Sequence, residues 1–98
     1  MEQSAFVNTL GKTPQIKVLD FLMGNLLLSY TLIEIKNQTN TGYATLKYLL
    51  PKMLKDKLVI IDKKVSKANL YKLNTENKAI QHLMAFDWAL VTQSIEEL

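Results

Sequence analysis

Residues 31–54, TLIEIKNQTNTGYATLKYLLPKML, hold two helical segments and the turn between them, and how that turn is read decides the fold. Thr31 and Glu34 have the spacing of a capping box: the hydroxyl takes the Glu34 amide, and the carboxylate reaches back to the Thr31 amide. Leu32 and Ile35 then point inward. The first helix is only about two turns long, because TNTG follows at once. Asn40 tolerates a left-handed backbone and Gly42 brings no side-chain clash, so the chain turns tightly into a second helix, expected from Tyr43 to Lys55. Leu46, Leu49, Leu50, Met53 and Leu54 form its core face. At about 100° per residue, Tyr43, Ala44, Lys47 and Tyr48 then lie outside, with Thr45 near the boundary. Pro51 forfeits a backbone bond and meets the Lys47 carbonyl, so a bend toward the core, a place in the buried half of the segment and a purely structural role are expected.

The flanking segments extend this pair. Upstream, TPQIKVLDFLMGN (residues 13–25) reads as a helix with Thr13 as cap, Pro14 at the first helical position and Gly24 or Asn25 at its end. Ile16, Leu19, Leu22 and Met23 make its inner stripe, widened by Val18 and Phe21. Residues 1–12 show no clear period and are expected to be an N-terminal extension, with Phe6, Val7 and Leu10 packing on the domain or on a partner. LLLSY (26–30) is a short linker or strand.

Downstream, LVIID (58–62) and NLYKL (69–73) read as two strands joined by KKVSKA (63–68). Leu58, Ile60, Leu70 and Val65 are expected to alternate inward, with Lys63, Lys64 and Lys67 clustered at the loop. The last segment, 74–98, begins with Asn74 or Thr75 as cap and Glu76 in the first turn, and runs as a helix to about Ile95. The expected class is mainly α with a small β-hairpin (α+β). In that order the elements make a winged helix-turn-helix over 13–73, followed by a long C-terminal helix.

Composition sets the limits. The chain has 98 residues, 48% hydrophobic and 21% charged, which suits one small folded domain. It has no apolar run long enough to span a bilayer and nothing resembling a signal peptide, so a cytoplasmic protein without a membrane partner is expected. Cysteine is absent. There is no phosphate loop, no serine–histidine–acid set and no metal-ligand spacing, and His82 is a lone histidine. No enzyme, catalytic residue, metal, cofactor or small-molecule effector is implied.

Charge is unevenly placed. Residues 1–35 carry Lys12 and Lys17 against Glu2, Asp20 and Glu34, a balance of −1. Residues 36–72 carry lysines 36, 47, 52, 55, 57, 63, 64, 67 and 72 against Asp56 and Asp62, a balance of +7. Residues 73–98 carry Lys78 against Glu76, Asp87, Glu96 and Glu97, a balance of −3. A basic middle between acidic ends is the pattern of a localised polyanion site. Every basic residue is lysine, which suits point contact with phosphate better than bidentate reading of guanine.

Residues 10–77 resemble the archaeal-type winged-helix DNA-binding transcriptional regulators. The likeness lies in LGKTPQIKVLDFLM, in YTLIEIKNQTNTGYATLKYLLPKMLKDKLV, and in a wing followed by LYKLN. In such regulators a capped second helix leads into a recognition helix with leucine-proline before its last turn. Here the wing carries lysine where relatives often carry arginine, and Gly42 stands where serine or threonine usually caps.

Double-stranded DNA is therefore the expected partner. The start of a recognition helix reaches base edges in the major groove, which nominates Gly42, Tyr43, Ala44, Thr45, Lys47 and Tyr48. Lys63, Lys64 and Lys67 of the wing, with Lys36, would meet the backbone or the minor groove. Along the last helix, Ala79, Leu83, Phe86 and Leu90 form one apolar stripe, and Ile80, Met84, Trp88, Val91 and Ile95 a second. Two stripes imply a second apolar surface, most simply another copy of the chain. The expected homodimer interface comprises Ile80, Leu83, Met84, Trp88, Val91 and Ile95. A protein–protein interaction module and a sequence-neutral DNA-architectural protein are the alternatives, since fold alone does not fix function.

Overall fold

The computed structural model describes residues 3–96, so the outermost residues of the expected 1–12 and 74–98 segments (1, 2, 97 and 98) lie outside the described residues. Five helices and one hairpin follow in the order α1 (Ala5–Leu10), α2 (Pro14–Met23), α3 (Leu32–Thr39), α4 (Tyr43–Lys55), β1 (Val59–Val65), β2 (Ala68–Leu73) and α5 (Lys78–Glu96). The protein is mainly helical, with a two-stranded antiparallel hairpin and a long C-terminal helix.

Local chemistry explains the helix limits. The Thr13 hydroxyl accepts the Ile16 amide at 3.3 Å, and Pro14 opens α2. The Thr31–Glu34 box forms in both directions, at 2.9 and 3.2 Å. α3 ends at Asn40 with φ 52°, the left-handed conformation that closes the turn into α4. α4 ends in a paired closure: the Leu58 amide donates to the Met53 carbonyl at 2.9 Å and the Lys57 amide to Leu54 at 3.0 Å. Lys57 takes the left-handed position, φ 61°, that such closures require.

The core lies where α2, α3 and α4 meet the inner face of the hairpin. Val18, Leu19, Leu22, Ile35, Leu46, Leu49, Leu50 and Met53 are buried there with Val59, Tyr71 and Leu73. Tyr30, between α2 and α3, exchanges two backbone hydrogen bonds with Tyr71, at 2.9 and 2.7 Å. That bridge adds a one-residue third member to the sheet, on the β2 side. The Tyr30 ring also packs on Phe21, centroids 4.7 Å apart.

Four expectations are corrected. The strand phase is opposite to the one expected: Val59, Tyr71 and Leu73 face the core, Ile60 and Val65 are exposed, and Leu58 and Leu70 are half-buried. The cause is the α4 closure, which uses Leu58 and starts the strand one residue later. With a side-chain period of two, that shift exchanges the faces. Pro51 is exposed, not on the buried side, and α4 continues through it to Lys55. Its missing amide leaves the Lys47 carbonyl free on the side open to water, where the loss costs least.

The third correction concerns α5, which is capped by Asn77. Its Oδ1 accepts the amides of Ala79 and Ile80 at 2.7 and 3.3 Å. Asn74 lies one turn earlier, where its side chain and that of Asn77 both donate to the Lys57 carbonyl, at 3.0 and 2.8 Å. The end of α4 is thus tied to the start of α5.

Fourth, the segment before α2 is part of the domain. Ser4 caps α1 by accepting the Val7 amide and donates to Asp20 Oδ1 at 2.7 Å, fastening α1 to α2. Phe6 is completely buried in the core, Val7 is buried, and α1 packs against both α2 and α5. Leu10 stays exposed.

Truncating Phe6→Ala should cost about 3–5 kcal/mol in urea unfolding, the range for a buried aromatic; an unchanged midpoint would make α1 a dispensable appendage. Asp87 of α5 offers a pH test. Burial, and then the nearby Asp20 carboxylate, push its pKa above the ordinary value of 3.8. A raised carboxyl pKa means the charged form is disfavoured in the folded state, so this penalty acts at neutral pH and fades as pH falls through the raised pKa. Asp87→Asn should therefore raise Tm at pH 7 and leave it near wild type at pH 3, as read by calorimetry.

Candidate nucleic-acid interface

The turn into α4 is built from two threonines. The buried Thr39 hydroxyl donates to the Ile35 carbonyl at 2.7 Å and lies 2.8 Å from the Thr41 hydroxyl, so both polar groups are satisfied out of water. Gly42 follows as N-cap with φ −65° and ψ 144°, extended geometry open to any residue. A Cβ there would meet only the Thr45 hydroxyl, at an ordinary 3.6 Å. The left-handed residue of this turn is Asn40; Gly42 is not required by backbone conformation. Without a side-chain cap, the first amides of α4 are left for solvent or a ligand.

α4 divides cleanly. Leu46, Leu49, Leu50 and Met53 are buried, while Tyr43, Ala44, Thr45, Lys47 and Tyr48 are exposed, Tyr48 at 76%. The Lys47 ammonium sits 5.6 Å from the centre of the Tyr43 ring, a cation–π approach that holds the two side chains over the first turn.

The hairpin comes close to this helix start. A groove of about 280 Å³ is walled by Tyr43 of α4, Ile33 of α3 and its cap Thr31, and Lys67, Asn69 and Tyr71 of the hairpin. Tyr43 and Lys67, 24 residues apart in the sequence, line the same groove. Ile33, half-exposed in its wall, escapes notice in the sequence because α3 is too short for its apolar residues to define a face. Lys36, in the last turn of α3, lines neither this groove nor the one on the far side of α3.

The three hairpin lysines do not form one cluster. The turn is only two residues, Ser66 and Lys67, with Ser66 at φ 57° as tight hairpin turns demand. Lys63 and Lys64 are within β1, where successive side chains point to opposite faces. Lys64 pairs with Asn69, a groove residue, and so shares the groove face; Lys63 pairs with Leu70 and lies on the other. The bulge at Asp62 sets this assignment by inserting an unpaired residue between Ile61 and Lys63. On the far face, the Asp62 carboxyl is held below the usual carboxylate range chiefly by Ser29, which with Lys72 and Lys63 outweighs the opposing effect of desolvation. Lys72 lies 3.5 Å from it.

The expected dimer residues on α5 also separate. Ile80 is 1% exposed in the core of its own protomer, so it has no surface to offer a second copy. Leu83 and Met84 pack partly against the same core, and Val91 is half-buried. Trp88, at 70%, and Ile95 are exposed, together with Phe86. The helix therefore splits along its length, with a docked N-terminal part and an apolar C-terminal part. No group of three or more metal-ligating side chains occurs among the described residues, and no helix there is long and apolar enough to cross a membrane.

Comparison with protein-family models, with curated proteins and with solved structures gives no match.

The division of α4 is directly testable. Leu46→Ala should cost about 2–5 kcal/mol in denaturant unfolding, whereas Tyr48→Ala should stay within about 0.5 kcal/mol of wild type. Comparable losses would mean that Tyr48 carries packing and is not free for a ligand.

Proposed function

We propose that this chain is a winged helix-turn-helix DNA-binding protein, a cytoplasmic homodimeric transcriptional regulator. In this reading α3 and α4 are the helix-turn-helix, β1 and β2 are the wing, and the Tyr30 bridge is the short strand joining them. The observation that carries it is the shared groove, which brings the exposed start of α4 together with Lys67 of the hairpin. Two separate stretches of the basic middle segment thus meet on one face.

The α4 start enters the major groove, where Tyr43, Ala44, Thr45 and Lys47 reach base edges and Tyr48 the flank. Gly42 and the uncapped amides face a phosphate. Lys64 and Lys67 meet the adjacent backbone, and counterion release at the lysines supplies most of the affinity. The apolar C-terminal part of α5, with Trp88, Ile95 and Phe86 exposed, is the surface on which two copies pair.

Fluorescence anisotropy with labelled duplexes from a promoter library tests this on the full chain. Wild type should bind, and binding should weaken steeply with salt. Changing Lys47, Lys63, Lys64 and Lys67 together to Glu should abolish it while the circular dichroism spectrum persists. Lys64→Gln should weaken binding more than Lys63→Gln. No binding by wild type even at low salt would sink the reading.

A further inference from the structure

On the far side of α3 from the hairpin, α1, α2 and α3 enclose a second groove of about 260 Å³. Its walls include Ser4, Lys12, Lys17, Asp20, Phe21 and Gln38. Two cations line it, and among the described residues neither is in an ion pair within 4 Å; Lys72–Asp62 is the one such pair there. The one carboxylate in the groove, Asp20, is engaged by the Ser4 hydroxyl at 2.7 Å. Lys17 reaches across to the turn, its ammonium 3.4 Å from the Asn40 carbonyl, three residues before α4 begins. The cationic groove is thus joined to the start of the helix proposed to enter DNA.

Its place relative to the first groove matters. The groove beside the hairpin takes in Thr31 and Ile33, at one end of α3; this one takes in Gln38 and Thr39, at the other. The eight residues of α3 span about 12 Å at 1.5 Å per residue. The major groove of B-DNA is about 12 Å wide. Two cationic sites at the ends of α3, the first shared with the α4 start through Tyr43, therefore have the spacing of the two phosphate strands that border a single major groove.

We propose that Lys12 and Lys17 form a second phosphodiester-contact site, gripping the DNA strand opposite the one met by Lys64 and Lys67. This inference rests on the DNA-binding reading. It extends the interface to residues hidden in the sequence by the three acidic residues that offset them in residues 1–35. Gln38 adds an amide donor at the groove wall, and the Phe21 ring supplies an apolar surface for a deoxyribose. The contacts position the duplex without reading its bases.

The test is the salt dependence of binding by the full chain to a labelled mixed-sequence duplex of about 30 base pairs, long enough to span several 10-base-pair turns. Each phosphate contact contributes about 0.9 to the slope of log K against log salt. The double variant Lys12→Gln/Lys17→Gln should lower that slope by about 2, and Lys12→Arg/Lys17→Arg should restore it. Hydroxyl-radical footprinting should lose protection on one strand flank while the hairpin flank stays protected. Lys52→Gln/Lys55→Gln, at the distal end of α4, removes the same charge and should leave the slope near wild type. An unchanged slope in the Lys12/Lys17 variant, with wild type binding, overturns the second site. An equal fall in the Lys52/Lys55 variant overturns it too, since net charge alone would then suffice. If wild type itself does not bind the duplex, the DNA reading fails and this site with it.

Discussion

The relation between α3 and α4 rests on one buried hydroxyl. Thr39 donates its proton to the Ile35 carbonyl and keeps Thr41 at hydrogen-bond distance, so the chain can reverse inside the core without stranding a polar group. An unsatisfied group at this depth would cost about 1–3 kcal/mol. With that cost avoided, Asn40 can take the left-handed conformation. Thr41 is then buried, and α4 starts at the surface with its first turn uncovered. Burial of Leu46, Leu49 and Leu50 follows from that starting phase, and so does exposure of Tyr43 and Lys47.

The same logic recurs at the other joints. Lys57 and Ser66 are non-glycine residues at positive φ, each in a short connection that leaves no room for slower reversal. At the first, two asparagine side chains converge on the Lys57 carbonyl and lock α5 to the end of α4. The proposed DNA-reading helix and the proposed dimer helix are therefore connected through one backbone oxygen. α1 adds to the connection from the other side by packing against α5 and hydrogen-bonding to α2.

What could be read from the sequence was what is decided locally. The caps at Thr13 and Thr31, proline at the start of α2, and the limits of α4 all depend on residues within one turn, and each lies where the pattern put it. The strand phase depended on whether Leu58 belonged to helix closure or to strand, which the apolar run 58–61 does not reveal. The start of α5 was expected at Asn74 or Thr75, but Asn77 caps it, in a joint where Asn74 and Asn77 both bond a carbonyl seventeen or more residues away. α1 was illegible because six residues carry too little period to announce a buried face. For the candidate site, the exposed residues of α4 follow from helical spacing, but the parting of Lys63 from Lys64 follows from the bulge at Asp62. A bulge leaves no mark in composition.

Among the described residues nothing pairs with the outer margin of β1, and the Tyr30 bridge extends the sheet on the β2 side. A free margin carrying Ile60, Ile61 and Val65 at the surface is a template on which another chain could add a strand. The bulge at Asp62 interrupts the regular spacing of its amides, and Lys63 and Lys64 place adjacent positive charges along it. Two copies aligned edge to edge would bring these charges together in a narrow space. Charges so placed oppose edge-to-edge pairing, and Lys64, on the groove face, is a candidate contact for phosphate as well. A chain that lost them would gain a sticky edge and, on the proposed DNA-binding reading, would lose a phosphate contact in the same step.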